Sequence, residues 1–241
     1  MRSLFYPYLL ANYPDSSCFS EVFEITAQYA DTIEIGIPFT DPVADGPVIA
    51  AAGAEVLAKG FSIDSLFRML NQQNRRVPIA MMSYANPILA YGRGEFMQAS
   101  AACGAKYLIV PDVPFEESEE WRAIANENRL AWISFVSLLT GEERLKRITA
   151  AAQGFLYLLS LKGITGSTIH DPAIIRKKAM QIKKETQAPI ALGFGIKSAE
   201  YTKKYSDGIE AFIVGSKIVE IIRSKRMDDL QRFYESFRRL S

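Results

Sequence analysis

The side chains able to do chemistry in this chain are few, and their types narrow the reaction. There is one histidine, His170, and there are two cysteines, Cys18 and Cys103. A single imidazole excludes any metal site that needs two, so no metal is expected. Two thiols far apart in sequence form neither a disulfide framework nor a thiolate zinc cluster. A serine–histidine–aspartate mechanism would have to run through His170, which reads as a loop residue. Acid/base work therefore falls to carboxylates, lysines or tyrosines.

Three carboxylates stand out. Glu34 lies inside the run Ile33-Glu34-Ile35-Gly36-Ile37. Side chains alternate along a strand, so three isoleucines packed outward turn Glu34 inward. Burial disfavours the ionised form and raises the pKa, which suits a group that gives and takes protons near neutrality. The structural alternative is a glutamate paired with an interior lysine or arginine, but the apolar segments contain almost no basic residue. Asp45 sits in the proline-stiffened stretch Pro38-Phe39-Thr40-Asp41-Pro42-Val43-Ala44-Asp45-Gly46-Pro47, with the next helix starting at Pro47. Alone it is equally a turn residue; with Glu34 it can face one ligand from a second side. Asp112, in Pro111-Asp112-Val113-Pro114, reads either as a cap or as a functional carboxylate.

Three glycine-bearing loops come late in the chain: Gly163-Ile164-Thr165-Gly166-Ser167-Thr168, Gly193-Phe194-Gly195-Ile196-Lys197-Ser198 and Gly215-Ser216-Lys217. Glycines let backbone N–H groups approach phosphate oxygens, and a helix N-terminus adds the positive end of a dipole. Each loop alone could be an ordinary turn. Together they point to a phosphate-bearing ligand, with the first loop suited to act as a lid.

The elements that must position these groups follow a regular beat. Apolar segments at 5–10, 32–37, 79–83, 107–110, 131–136, 155–159, 190–192 and 211–214 alternate with amphipathic helical patterns. Eight such repeats in 241 residues predict an α/β protein, a single-domain (β/α)8 TIM barrel of the phosphate-binding type spanning 1–241. A doubly wound open sheet competes, but it usually carries a glycine-rich turn after its first strand, and here that turn reads Asn12-Tyr13-Pro14-Asp15. In a barrel the chemistry belongs at the C-terminal ends of the strands, where all the candidates fall.

Composition excludes several classes. Lys+Arg is 28 and Asp+Glu is 27, a formal charge of +1, which does not fit a nucleic-acid or polybasic membrane protein. No run of about 20 apolar residues could span a bilayer. The apolar start at 1–11 contains Pro7 and is too short for a secretory leader. A cytoplasmic enzyme or binding protein is expected.

The run from Ile33 to Pro47 closely resembles the signature of the tryptophan synthase alpha subunit family. Ser83-Tyr84-Ala85-Asn86-Pro87, Pro111-Asp112-Val113-Pro114, Gly163-Ile164-Thr165-Gly166, and Gly193-Phe194-Gly195-Ile196 with Val214-Gly215-Ser216 agree in order and spacing. The resemblance implies a lyase that splits indole-3-glycerol phosphate into indole and glyceraldehyde 3-phosphate by a retro-aldol step, with no cofactor in this chain. It makes Glu34 the acid/base carboxylate and Asp45 the group that holds the indole N–H. It places Tyr8, Tyr84, Asp112, Tyr157 and Thr165 around the substrate, and Gly166, Gly195, Gly215 and Ser216 around its phosphate. Tyr8 stands where the family usually has phenylalanine and would flank the indole ring. The implied partner is a pyridoxal-phosphate beta subunit in an α2β2 heterotetramer, which receives the indole.

The chain also departs from the family. Few residues precede the first strand where the family has a helix, and Asn12-Tyr13-Pro14 replaces Gly-Asp-Pro. Ala50-Ala51-Ala52-Gly53 follows where glutamine and polar neighbours are usual, and Leu161-Lys162 stands where arginine is common. Two of these departures fall near loops that communicate with the beta subunit in the family. A stand-alone lyase that releases free indole shares every one of these residues. A catalytically weak barrel that activates a beta subunit is disfavoured by the presence of both Glu34 and Asp45.

Overall fold

Parallel strands, most of them buried on both faces, make up the centre of the molecule. A computed structural model of the chain describes residues 3–73, 77–160, 171–193, 195–205 and 207–238. Nine strand segments are present among them: β1 (Leu4–Leu10), β2 (Ile33–Gly36), β3 (Ile79–Met82), β4 (Ala105–Ile109), β5 (Ala131–Trp132), β6 (Ser134–Ser137), β7 (Leu156–Leu159), β8 (Ile190–Gly193) and β9 (Ala211–Val214). They form one sheet in the order β5-β4-β3-β2-β1-β9-β8-β7-β6, and every pair is parallel.

The two ends of this order, β5 and β6, are separated only by Ile133. One extended run therefore supplies both edges and closes the sheet. The single fifth strand expected at 131–136 is divided because its first half pairs with β4 and its second half with β7. The Ile133 N–H donates to the Leu108 carbonyl at 2.9 Å, the last link to β4. Counted this way, the fold is the eightfold α/β barrel that the sequence predicts. Parallel strands need such covering on both faces, which is why they read as near-continuous apolar runs.

Alternation along β1 sorts the interior from the helix layer. Phe5 points outward and stacks on Phe237 of the C-terminal helix Met227–Arg238, with centroids 4.3 Å apart. Tyr6 and Tyr8 face in. Tyr6 meets Phe155 at 5.4 Å, and Phe155 meets Tyr107 at 5.3 Å, so three aromatic rings floor the barrel below Tyr8.

The helices follow local signals. Asp15 caps Ser16–Ala27 by accepting from the Cys18 N–H at 2.9 Å, and Phe19, Val22, Phe23 and Thr26 form its buried face. Ser62 caps Ile63–Gln72, which buries Leu66, Phe67 and Leu70. One helix, Ala85–Tyr91, escapes the sequence pattern. Its Pro87 reads as a breaker, yet proline is tolerated in a first turn, where no intrahelical N–H bond is lost.

Candidate active site

At the C-terminal ends of the strands the barrel opens into a cavity of about 480 Å3, a volume suited to a small ligand. Its inner wall comes from strand residues that face inward: Tyr8 on β1, Glu34 on β2, Met82 on β3, Tyr157 on β7 and Ile213 on β9. Its rim is built from the loops that follow, including Asp45, Ile49, Gly195 and Ser216.

Glu34 is 3% exposed, and its Oε2 has no hydrogen-bond partner among the described residues. Burial, and then the nearby charge of Asp45, push its pKa from an ordinary 4.5 up to about 8. At neutral pH it therefore carries a proton that it can give away. Flanking Ile33 and Ile35 are fully buried on the outer face, so the strand cannot rotate Glu34 out of the cavity without exposing them.

Asp45 is held from two directions. Its N–H donates to the Pro42 carbonyl at 3.0 Å, which closes the turn. The Tyr84 hydroxyl donates to its Oδ2 at 3.0 Å and accepts from the Ala44 N–H at 3.1 Å. Burial raises the Asp45 carboxyl from 3.8 to about 6, and the Tyr84 bond opposes that rise. The cavity thus holds two carboxyl groups with different proton affinities, the arrangement that separates an acid from an ionised partner.

Tyr84 supports Asp45 from outside the lining. It is buried immediately before the helix Ala85–Tyr91, whose first N–H, that of Ala85, donates to the Asp112 carboxylate at 3.0 and 3.1 Å. Asp112, expected at the site or its mouth, is likewise not among the lining residues. It caps that helix and so fixes the direction in which Tyr84 reaches.

Two tyrosines lean over glycines of neighbouring strands. A Cβ at Gly36 would lie 2.0 Å from the Tyr8 hydroxyl, and one at Gly193 would lie 2.2 Å from the Tyr157 hydroxyl. These glycines leave the room the rings occupy. Burial and the two carboxylates hold both phenols well above their ordinary pKa, so each stays a neutral donor. The Tyr157 ring packs on Phe135 at 5.0 Å.

Opposite the carboxylates the helix Ser216–Arg223 begins at the cavity, and its N-cap residue, Gly215, has no side chain with which to cap it. Its first N–H groups are therefore open to an anion. Gly195, with φ of +73°, Lys197 and Lys217 border the same end. Lys217 also lies 3.5 Å from Glu220.

Of the residues singled out from sequence, Tyr8, Glu34, Asp45, Tyr157, Gly195, Gly215 and Ser216 line this one cavity. Thr165 and Gly166, with His170, lie outside the described residues. Sequence reasoning passed over Met82, Ile213 and Ile49, which form the apolar wall, and the two lysines. Met82 ends β3 on its inward face, so strand alternation applied within the expected segment 79–83 would have found it. Among the described residues, no group of three or more histidine, cysteine or acidic side chains could hold a metal ion, and no helix is long and apolar enough to cross a membrane.

Comparison with known proteins agrees across the whole length. The family model for tryptophan synthase alpha chain matches residues 1–240. The tryptophan synthase alpha chain of Carboxydothermus hydrogenoformans is 43% identical over 205 residues, covering 83% of this chain and 76% of that one. That of Petrotoga mobilis is 35% identical over 240 residues, covering 96% and 93%. Among solved structures, a chain of the tryptophan synthase α2β2 complex of Pyrococcus furiosus superposes with a TM-score of 0.88 at 30% identity, covering 98% of this chain and 99% of that one. The chain belongs to the tryptophan synthase alpha chain family.

Proposed function

We propose that Glu34 and Asp45 are the catalytic pair for the lyase reaction of this family, the cleavage of indole-3-glycerol phosphate to indole and glyceraldehyde 3-phosphate. The retro-aldol step needs a proton on indole C3 and the removal of a proton from the hydroxyl on the adjoining side-chain carbon. Glu34 begins protonated and gives its proton to C3. Positive charge then develops at the ring nitrogen, and the Asp45 carboxylate accepts a hydrogen bond from that N–H. Glu34, now ionised, takes the hydroxyl proton. The bond between C3 and the side-chain carbon breaks, its electron pair returns to the ring, and the side chain leaves as an aldehyde. Glu34 ends protonated, ready for another cycle.

In this reading the phosphate rests on Gly195, Gly215 and Ser216, with Thr165 and Gly166 completing the lid and cradle. Gripping this remote end holds the reacting end in place. Tyr157 and the apolar wall bound the indole, and Tyr84 and Asp112 position Asp45. No cofactor takes part in this chain. The full chain, 1–241, acts as one domain in the cytoplasm. Its partner is a pyridoxal-phosphate beta subunit in an α2β2 assembly that consumes the indole. Val43, Leu89 and Leu139 are 74%, 52% and 93% exposed in segments that follow β2, β3 and β6. Exposed apolar side chains in segments that follow the strands are suited to docking such a partner.

The observation that carries the proposal is the buried Glu34 carboxyl lining the cavity with Asp45, its Oε2 without a hydrogen-bond partner among the described residues. The test is indole release from indole-3-glycerol phosphate by the purified chain, with and without a tryptophan synthase beta subunit. Slow release that the partner strongly stimulates is expected. Fast release without stimulation would make the chain an independent lyase. No release in either condition would refute the assignment.

A further inference from the structure

Three parts of the substrate have partners in the scheme above: the phosphate, the ring nitrogen and the hydroxyl next to the breaking bond. The hydroxyl on the middle carbon of the side chain has none. Resting on that reading of the cavity, we infer that the Tyr8 hydroxyl is a specificity-determining donor that hydrogen-bonds this middle hydroxyl.

Tyr8 lies where such a contact is needed. On β1 it is in register with Glu34 on β2. A Cβ built at Gly215, the residue before the phosphate-facing helix, would lie 3.4 Å from Tyr8 Cβ and Cδ1. At the far end, the hydroxyl crosses the space above Gly36, two residues beyond Glu34 on the same face of β2. The ring therefore runs alongside the path from the phosphate end to the acid, the path a three-carbon chain must follow between them.

The chemistry of the group fits. Tyr8 is 4% exposed, lines the cavity, and its hydroxyl makes no hydrogen bond to another described residue. It thus keeps a donor for a ligand. Burial, then the charge of Asp45 and that of Glu34 once it is ionised, disfavour the phenolate, so the proton stays on oxygen through the reaction. A neutral donor suits a neutral hydroxyl and does not compete with Glu34 for the reacting proton. Of the other two phenols near Asp45, Tyr84 is already engaged with that carboxylate, and Tyr157 reaches from β7 over Gly193 of β8 rather than over β2.

The test crosses a change in the chain with a change in the ligand. Wild type and Tyr8→Phe, each with a beta subunit present, are assayed for kcat/KM on indole-3-glycerol phosphate and on the analogue lacking only the middle hydroxyl. That analogue keeps the reacting hydroxyl and remains cleavable. Wild type is expected to prefer the full substrate by about tenfold, the worth of one net hydrogen bond. Tyr8→Phe should lose about tenfold on the full substrate, change less than about twofold on the analogue, and so erase the preference. Equal losses on both ligands would make Tyr8 a packing residue and overturn the inference, as would an undiminished preference. Failure of the underlying reading looks different, because wild type would then cleave neither compound. Binding of the uncleaved full substrate to Glu34→Gln, with and without Tyr8→Phe, gives a second measure: the same tenfold weakening supports the contact, and equal affinity overturns it.

Discussion

Replacing Glu34 by glutamine tests burial and catalysis with one change. In the folded chain this carboxyl keeps its proton up to about pH 8, whereas in the unfolded chain it ionises near 4.5. Below 4.5 both states are protonated, and the group does not distinguish them. Between 4.5 and 8 only the unfolded state gains by ionising, so stability is lost progressively as pH rises. Above 8 both are ionised and the loss is complete. At about 1.4 kcal/mol per pH unit, the interval from 4.5 to about 8 amounts to about 5 kcal/mol. Glutamine has no such proton, so the variant is spared this loss. Urea unfolding followed by circular dichroism at pH 5, 7 and 9 should show the stability of Glu34→Gln rising relative to wild type across that range, by up to about 5 kcal/mol. Indole release should fall by about a hundred- to ten-thousand-fold at every pH, with substrate affinity largely kept. Parallel pH dependences of stability in the two chains would refute the raised pKa, and near-normal turnover would refute the acid/base role.

A chain that needs Glu34 protonated and Asp45 ionised should give a bell-shaped profile of kcat/KM, with limbs near 6 and 8. Tyr84→Phe removes the hydrogen bond that keeps Asp45 down, so the acid limb should move to higher pH; an unmoved limb would show that Asp45 is not the group it reports. Ser216→Ala should raise KM severalfold with little change in kcat, and steady-state kinetics with an unaltered KM would count against the phosphate cradle. Asp112→Ala uncaps the helix Ala85–Tyr91 and should cost about 1 kcal/mol in urea unfolding, with a smaller loss of activity as Tyr84 loosens.

The part of the site legible in the sequence is the part governed by short-range periodicity. Three isoleucines at alternate positions turn Glu34 inward whatever surrounds the strand. Glycine followed by serine at a helix start marks Gly215 and Ser216 in the same local way. The contact between Asp45 and Tyr84 spans 39 positions and exists only because β2 and β3 pair in register. Asp112 reaches Ala85 across 27 positions through the pairing of β3 with β4. No local pattern carries either contact, so its turn-like surroundings left Asp112 undecided between cap and site. Pro87 lies within the helix Ala85–Tyr91 because proline forbids an interior helical turn but not a first one. The division of the fifth strand was equally hidden, since continuous apolar sequence does not say which neighbour each half pairs with.

The aromatic floor beneath Tyr8 bears on traffic. Tyr6, Tyr107 and Phe155 meet across the barrel at its lower end, and the cavity opens at the other. Among the described residues these rings close it from below, so what is made in it departs by the opening through which the reactant came. Delivery to a neighbour is then decided by what sits over the rim and when it lifts. No passage bored through the barrel is needed. A lid that stayed shut after cleavage would hold both fragments together and let them recombine, so the timing of opening bears as directly on net yield as the carboxylates do on rate.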